Sequence, residues 1–191
     1  MIPTAATIRE LWKTNMLPPY KQNHCMLVAR LAVWFGKQLS KQYPDLHVDL
    51  PLLEAAALLH DIDKAAPKNP NERHPDAAVR ILRENGYAQI SDVVRTHSLH
   101  AILDQSTAPQ TLEQKLLYLS DKMVKHTIIT VDERFALWRS EKLPERAIKE
   151  LDAAYPKVKA LEKEICSRIH IEPGKVAEFA NAAETSTMML P

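Results

Sequence analysis

The sequence contains little glycine and no excess of basic charge, and each shortage removes a class of function. Only three of the 191 residues are glycine, whereas a Walker loop or a dinucleotide-binding fingerprint needs several glycines within one short loop. Any phosphate must therefore be bound by metal ions or by Lys and Arg side chains. Lys and Arg total 25 against 24 for Asp and Glu, so no basic field predicts a nucleic acid as partner.

Three further absences bear on location. No stretch approaches the run of about 18 apolar residues that a membrane span needs, so no membrane partner is expected. The two cysteines, Cys25 and Cys166, lie far apart in the sequence, which argues against a disulfide framework. The first residues include Arg9 and Glu10 but no apolar segment, unlike a signal peptide. We therefore expect a cytoplasmic protein.

Prolines separate segments in which apolar residues recur with helical spacing, and no useful length alternates like a β-strand. Capping boxes are predicted at Thr7 with Glu10 and at Thr111 with Gln114, and Pro156 is expected to break a helix. The pattern predicts an all-α protein. Helices are expected at 5–14, 21–42, 51–60, 74–85, 87–101, 111–126, 131–140, 144–154, 157–170 and 173–183.

We divide the chain into a compact multi-helix bundle over residues 1–140 and a C-terminal helical extension over residues 141–191. The extension carries apolar positions between charged residues, so it is expected either to pack back on the bundle or to form a dimer surface. The sequence therefore leaves open whether the protein forms a homodimer. The last residues, 186–191, are expected to be frayed.

An adjacent His-Asp pair, His60 and Asp61, ends an apolar run that begins at Leu52. His60 follows Leu53 and Ala56 by seven and four residues, which places the three on one helix face. Other imidazoles and carboxylates occupy similar apolar positions of separate predicted helices. These are His24, His74, His97 and Asp121.

Each of these residues has an ordinary explanation when it is considered alone. An isolated histidine on an apolar face is more often a hydrogen-bonded core residue than a ligand, and Asp121 could be satisfied by Lys122 or Lys125. Burying all of them without mutual compensation, however, would cost several kcal/mol for each unmatched group. A shared divalent cation removes that cost, and this donor set suits Fe, Mn, Zn or Mg. We therefore predict that one or two metal ions are bound by His24, His60, Asp61, His74, His97 and Asp121.

The order of these residues resembles that of the HD-domain phosphohydrolase superfamily, over about residues 20–138. Its signature is a histidine, an adjacent His-Asp pair and a distant aspartate. The segment Ala57–Lys64 matches the common His-Asp-Ile-Gly-Lys variant with Asp63 in place of glycine, and Lys115–Asp121 is similar to the segment with the last ligand. The signature positions are matched by His24, His60, Asp61 and Asp121, and two extra histidines of two-metal members by His74 and His97.

Within the superfamily the chain looks most like the small branch of symmetrical diadenosine tetraphosphate hydrolases, which are single-domain enzymes of the di-iron type. It departs from that branch in three places. The loop between Asp61 and His74 holds only twelve residues, which is shorter than expected for that branch. Pro75 stands where glycine is usual, and Ser98-Leu99-His100 replaces Thr-Thr-Gly.

The resemblance implies an HD-domain bundle with two metal ions, Fe or Mn first and Mg, Zn, Co or Ni as alternatives. One ion would be held by His24, His60, Asp61 and Asp121, and Asp61 would bridge to a second held by His74 and His97. Two cations would lower the pKa of a bridging water and neutralise the phosphate oxygens during in-line attack.

Three residues form the predicted catalytic group. Asp61 belongs to it as the bridging ligand, Lys64 as a phosphate contact, and Asp63 as a carboxylate that orients either a ligand histidine or the attacking water. The predicted substrate-binding residues are Lys64, Arg73, His100 and Lys125. Lys64, Arg73 and Lys125 could instead be solvated charges. His100 could also ligate a metal, or it could support a metal-binding residue without touching the metal.

The leading function is a metal-dependent phosphohydrolase that acts on a small-molecule nucleotide, with diadenosine tetraphosphate first among its substrates. One alternative is a one-metal 5′-nucleotidase acting on nucleoside monophosphates, in which His74 and His97 bind the substrate. A second alternative is a regulatory module that binds a nucleotide without turnover, which the charged segment 144–170 suggests.

Overall fold

The computed structural model describes residues 1–183, and the expectation for residues 186–191 lies outside that range. The predicted all-α fold is confirmed, because the described residues form helices and one isolated bridge between Val124 and Ile128. The short 3₁₀ helices are Leu99–Leu103 and Pro173–Lys175. The α-helices are α1 (Ala5–Thr14), α2 (Pro19–Gln42), α3 (Leu50–Leu59), α4 (Asp76–Glu84), α5 (Ala88–Val94), α6 (Leu112–Lys122), α7 (Val131–Ser140), α8 (Glu145–Arg168) and α9 (Val176–Ala182).

The core is organised around α2, which packs against both α3 and α6. At Gly36 the approach is closest, because a Cβ added there would lie 2.6 Å from Leu50 Cδ2. Glycine therefore lets α2 come close to the start of α3. On the other side of α3, Trp12 Nε1 donates to the carbonyl of Leu58 at 2.9 Å, which ties α1 to the helix that ends at His60.

Helix starts follow capping chemistry, although not always where the sequence predicts it. The capping box at Thr111 and Gln114 is confirmed. The box predicted at Thr7 is wrong, because Thr4 caps α1 and Thr7 lies inside the helix. An unpredicted box begins α7 at Thr130.

The prediction that Pro156 breaks a helix is wrong, because α8 runs through it without interruption. An interior proline costs about 3 kcal/mol through a lost backbone hydrogen bond and a steric clash. α8 buries an apolar face along its length, and each large apolar side chain contributes about 1.5–3 kcal/mol on burial, so packing outweighs the proline. This face comprises Leu151, Ala154, Val158, Leu161 and Ile165.

The C-terminal segment packs back on the bundle, one of the two expectations for it. α8 lies against the 3₁₀ helix Leu99–Leu103, α7 and α6, while α9 contacts α2. The buried side chains of α8 belong to the same hydrophobic core as those of α2 and α3. The domain boundary at residue 140 stays a prediction. Within residues 1–183, no helix combines the length and the apolar character needed to cross a membrane.

One helix begins later than predicted and another ends earlier, and each difference leaves a histidine outside a helix. His74 lies before α4, which begins at Asp76, because a proline disfavours the helical conformation in the residue that precedes it. His97 lies after α5, which ends at Val94. The prediction that both residues belong to helices is therefore wrong, and both lie on short connections that face the core.

Candidate metal centre

Six side chains from five parts of the chain meet in one cluster, which we call the His/Asp cluster. α2 contributes one member from its second turn, and α6 contributes one from its last turn. The C-terminal end of α3 contributes the adjacent pair, and the connections before α4 and after α5 contribute one histidine each. The members are His24, His60, Asp61, His74, His97 and Asp121, the six residues predicted from the sequence.

The first group within the cluster consists of His24, His60 and Asp121. Asp121 Oδ1 lies 3.0 Å from His24 Nε2 and 3.5 Å from His60 Nε2. His60 Nε2 is fully buried and has no hydrogen-bond partner among residues 1–183. A buried polar atom without a partner costs free energy. Binding of a cation at this nitrogen would remove that cost.

Asp61 connects the first group to a second one. Its Oδ1 atom lies 3.7 Å from His60 Nε2, 3.6 Å from His74 Nε2 and 3.9 Å from His97 Nε2. His60, Asp61 and His97 together satisfy the spacing of a metal site. The carboxylate of Asp61 therefore lies between two sets of imidazole nitrogens.

Backbone carbonyls determine which nitrogen of two rings carries the proton. His60 Nδ1 donates to Ala57 O at 2.7 Å, and His97 Nδ1 donates to Val94 O at 2.6 Å. Because a carbonyl oxygen only accepts, each of these rings presents the lone pair of its Nε2 to the cluster when the ring is neutral. Burial also lowers the pKa of His97 to about 3, so this ring remains neutral and able to act as a ligand.

The carboxylate of Asp63 fixes the position of the proton on the His74 ring in the same way. Its Nδ1 donates to Asp63 Oδ1 at 2.8 Å, and Asp63 is fully buried. Burial alone would raise the pKa of Asp63, but the hydrogen bond from His74 holds it below its usual value. His74 Nε2 then faces His97 Nε2 at 2.9 Å, and two lone pairs at this distance repel unless a proton or a cation lies between them.

The electrostatics of the cluster favour a cation. Burial alone would raise the pKa of Asp61, but the charge of His60 and other neighbours holds it well below its usual range. Burial would likewise lower the pKa of His60, yet the Asp61 carboxylate raises it well above its usual value. The negative potential that retains a proton on a buried imidazole also attracts a divalent metal ion. The donor set of imidazole and carboxylate therefore fits such an ion.

Comparison with known families gives the same answer as the chemistry of the cluster. Residues 22–125 match the family model of the HD domain, which is more than half of the chain. The chain belongs to the HD domain family. No curated protein and no solved structure matches it. The protein is therefore a metal-dependent HD-domain phosphohydrolase that takes a divalent metal and a small phosphorylated substrate.

Lys122 gives the HD domain a buried cation that sequence analysis considered only as a possible partner of Asp121. Its Nζ lies 2.7 Å from Asp121 Oδ2, and it also donates to the carbonyl of His97. Burial lowers the pKa of Lys122, although Asp121 opposes that shift. By occupying Oδ2, Lys122 leaves Oδ1 of Asp121 to the histidines.

Two lysines face the shared carboxylate. Lys64 Nζ lies 3.4 Å from Asp61 Oδ1, and Lys21 Nζ lies 2.8 Å from Asp61 Oδ2. Lys64 was expected near the cluster, but Lys21 was missed because it lies in a polar stretch at the start of α2. Its spacing of three residues from His24 is the signal that could have indicated a shared helix face.

The remaining predicted substrate contacts lie outside the cluster. Arg73 and His100 line an open pocket on the outer side of His74, and His100 belongs to neither group of the cluster. The side chain of Lys125 makes no hydrogen bond or ion pair with the cluster in the described part of the chain, and its backbone N–H donates to Thr127 O.

Arg134, on α7, is a second cation that sequence analysis missed. It is 9% exposed and stacks over the Trp138 ring, with its Cζ 4.2 Å from the ring centroid. Its Nε and Nη1 atoms are buried and have no hydrogen-bond partner in the range 1–183. Burial lowers the pKa of Arg134, and the charges of Asp121 and Asp61 oppose that shift, so the guanidinium lies within electrostatic range of the cluster.

Proposed function

We propose that the protein hydrolyses a phosphoanhydride of a nucleotide with two metal ions, diadenosine tetraphosphate being the first substrate to test. The observation that carries this proposal is the position of Asp61. Its Oδ1 atom lies between 3.6 and 3.9 Å from the Nε2 atoms of His60, His74 and His97. A carboxylate shared by two sets of donors can bridge the two ions of a two-metal site.

In this proposal each half of the His/Asp cluster binds one ion, and Asp61 is shared. Bound divalent ions activate a water and neutralise the developing charge on phosphorus. Asp63 keeps His74 in the tautomer whose Nε2 is free, as carboxylates beside metal-binding histidines commonly do. The donor set favours Fe or Mn, with Mg, Zn, Co and Ni as alternatives. One ion is assigned to His24, His60, Asp61 and Asp121, and the other to Asp61, His74 and His97.

The substrate carries several negative charges, and the protein meets them with side chains because it has no glycine-rich loop. Lys64 and Lys21 pair with Asp61 when no metal neutralises it. With a metal ion bound at Asp61, both ammonium groups would be available to phosphate oxygens. Arg134 adds a guanidinium with two unpartnered nitrogens among the described residues, a group suited to phosphate.

Hydrolysis proceeds by addition of water to one phosphorus and cleavage of its bond to the bridging oxygen. For diadenosine tetraphosphate, cleavage at the central bridge gives two molecules of ADP, and the proton of the attacking water passes to solvent. A cytoplasmic location and a homodimer remain part of the proposal as expectations.

Metal counting is the decisive experiment. Protein purified without chelators and without a histidine tag should contain about two Fe or Mn ions per chain by plasma mass spectrometry. His97→Ala should lose about one ion, while His47→Ala, a change at an exposed loop histidine, should keep both. Chromatography of the products should show ADP alone. A single ion in the wild-type protein that survives His97→Ala would contradict the two-metal site.

The second candidate is a one-metal 5′-nucleotidase. The observation in its favour is that His24, His60 and Asp121 already satisfy the spacing of a metal site by themselves. In that case His74 and His97 contact the substrate phosphate. One ion per chain with turnover of nucleoside monophosphates would support this function. The regulatory module without turnover is set aside, because the chain belongs to a family of hydrolases and keeps both groups of the cluster.

A further inference from the structure

A pocket of about 570 Å³ opens on the outer side of His74, between the start of α4 and the start of α8. We call it the α8 pocket. His74 lines it and at the same time directs Nε2 to within 3.6 Å of Asp61 Oδ1. A molecule in the α8 pocket is therefore adjacent to the His/Asp cluster.

The walls of the α8 pocket combine three kinds of chemistry. Arg73, His100 and Arg146 supply nitrogen donors that suit phosphate oxygens. Asp76 and Glu150 supply carboxylate acceptors, which suit the hydroxyls of a ribose or the amino group of a base. An apolar part is formed by Pro75, Leu103, Pro144 and Ala147.

A nucleotide needs all three kinds of surface, whereas a small phosphoester needs only the donors. The volume of the α8 pocket also falls within the range of roughly 300–1,000 Å³ that is usual for small-molecule sites. We propose that the α8 pocket binds the nucleoside and outer phosphate of the leaving nucleotide, and that the first turns of α8 select nucleotides as substrates. This inference rests on the proposed function.

The position of α8 explains how a C-terminal helix can shape a site built by the HD domain. The HD domain match ends at residue 125, and α8 begins at Glu145. Packing of α8 against the 3₁₀ helix Leu99–Leu103, with Leu151 buried, holds its first turns beside His100. The family fold therefore supplies the His/Asp cluster, and the segment beyond it supplies the specificity.

Filling the pocket is the first test. Ala147 is half-buried in its wall, and the neighbouring Ile148 is exposed and does not line it. Ala147→Trp should raise the KM for diadenosine tetraphosphate about tenfold and weaken ADP binding in calorimetry by a similar factor. Ile148→Trp, the matched control, should change neither the KM nor the ADP affinity.

Removing a charge is the second test. Arg146 Nε pairs with Glu150 at 2.9 Å, and Lys149 Nζ pairs with Glu145 at 2.6 Å in the same part of α8. Arg146→Ala should raise the KM for diadenosine tetraphosphate about threefold to tenfold, and Lys149→Ala should not, because only Arg146 lines the pocket.

The outcomes separate the pocket from the proposed function. Unchanged KM and ADP affinity in Ala147→Trp, with nucleotide hydrolysis intact in the wild-type protein, would overturn the α8 pocket and leave the function standing. If the wild-type protein hydrolyses no nucleotide, the proposed function fails, and the calorimetric comparison of Ala147→Trp with Ile148→Trp still decides whether the pocket binds ADP.

Discussion

The His/Asp cluster and the α8 pocket share His74, yet their side chains are held in different ways. In the cluster, His60 and His97 are almost fully buried, and backbone carbonyls orient their rings. In the pocket, Arg73 and His100 are exposed, and the wall on one side comes from a helix beyond the HD domain match. Metal chemistry requires donors that are already in place, whereas substrate selection tolerates flexible surface groups.

This difference suggests how the two regions can change. A substitution in the cluster leaves a buried donor or charge without its partner, which is costly. A substitution at the exposed wall of the pocket alters the fit to a substrate and leaves the core intact. The following predictions test that separation, beginning with the largest effect.

The strongest test of the buried region is Asp61→Asn. Loss of the shared carboxylate should reduce kcat/KM at least about 10³-fold, because charge stabilisation and water activation fail together. Metal content should fall in the same protein. Asp45→Asn, at an exposed loop position, is the matched control and should keep full activity. Retention of activity in Asp61→Asn would remove Asp61 from the catalytic group.

The second test concerns the buried cation. Lys122→Met leaves Asp121 without its buried partner, so the metal-free protein should lose about 3–5 kcal/mol of stability, measured by urea unfolding. Added metal should restore part of the loss, since a cation at Asp121 replaces the missing charge. Lys125→Met, which removes a side chain without a partner in the described range, should change stability by less than about 0.5 kcal/mol. Equal losses in both variants would contradict the role given to Lys122.

Sequence analysis found the six members of the cluster because imidazoles and carboxylates at apolar helix positions break the apolar pattern in a recognisable way. Few structural roles explain a histidine or aspartate at an apolar position of a helix, such as His24 or Asp121. When several such residues occur in one chain, fewer roles explain all of them. The helical spacing of apolar residues likewise predicted the all-α fold. The matching order of residues in the HD domain family then gave the reaction class.

The errors arose where distant contacts overrule local preference. Pro156 stays within α8 because the helix packs on the core, and a local pattern contains no measure of that packing. Lys122 and Arg134 look like solvated helix charges in the sequence, since nothing local shows that tertiary packing buries their side chains. The wall of the α8 pocket could not be predicted from local sequence either, because it brings together residues about 70 positions apart.

Metal removal tests the cluster without a substitution. Metal that binds only the folded state stabilises it by about 2.7 kcal/mol when its concentration is 100 times the Kd. For a protein of this size, that corresponds to a fall of roughly 5–10 °C in Tm after removal. Scanning calorimetry before and after EDTA treatment measures the shift, and adding Mn²⁺ or Fe²⁺ back should reverse it. An unchanged Tm after prolonged EDTA treatment would argue against a buried metal site.

The smallest expected effect separates function from stability at Arg134. Its two buried nitrogens have no partner in residues 1–183, so Arg134→Met should leave Tm unchanged or raise it, because an unsatisfied buried charge is replaced by an apolar side chain of similar length. If the guanidinium contacts phosphate, kcat/KM for diadenosine tetraphosphate should fall about tenfold in the same variant.

Arg139 provides the matched control for this last test. It lies on the same helix, but it is exposed and pairs with Asp152 at 3.1 Å. Arg139→Met should leave kcat/KM unchanged and lower stability by at most about 1 kcal/mol. A variant of Arg134 that is less stable yet fully active would show a structural role instead. A variant that is stable but has a lower kcat/KM would assign Arg134 a role in binding phosphate. The buried region that acts on phosphate would then extend to α7.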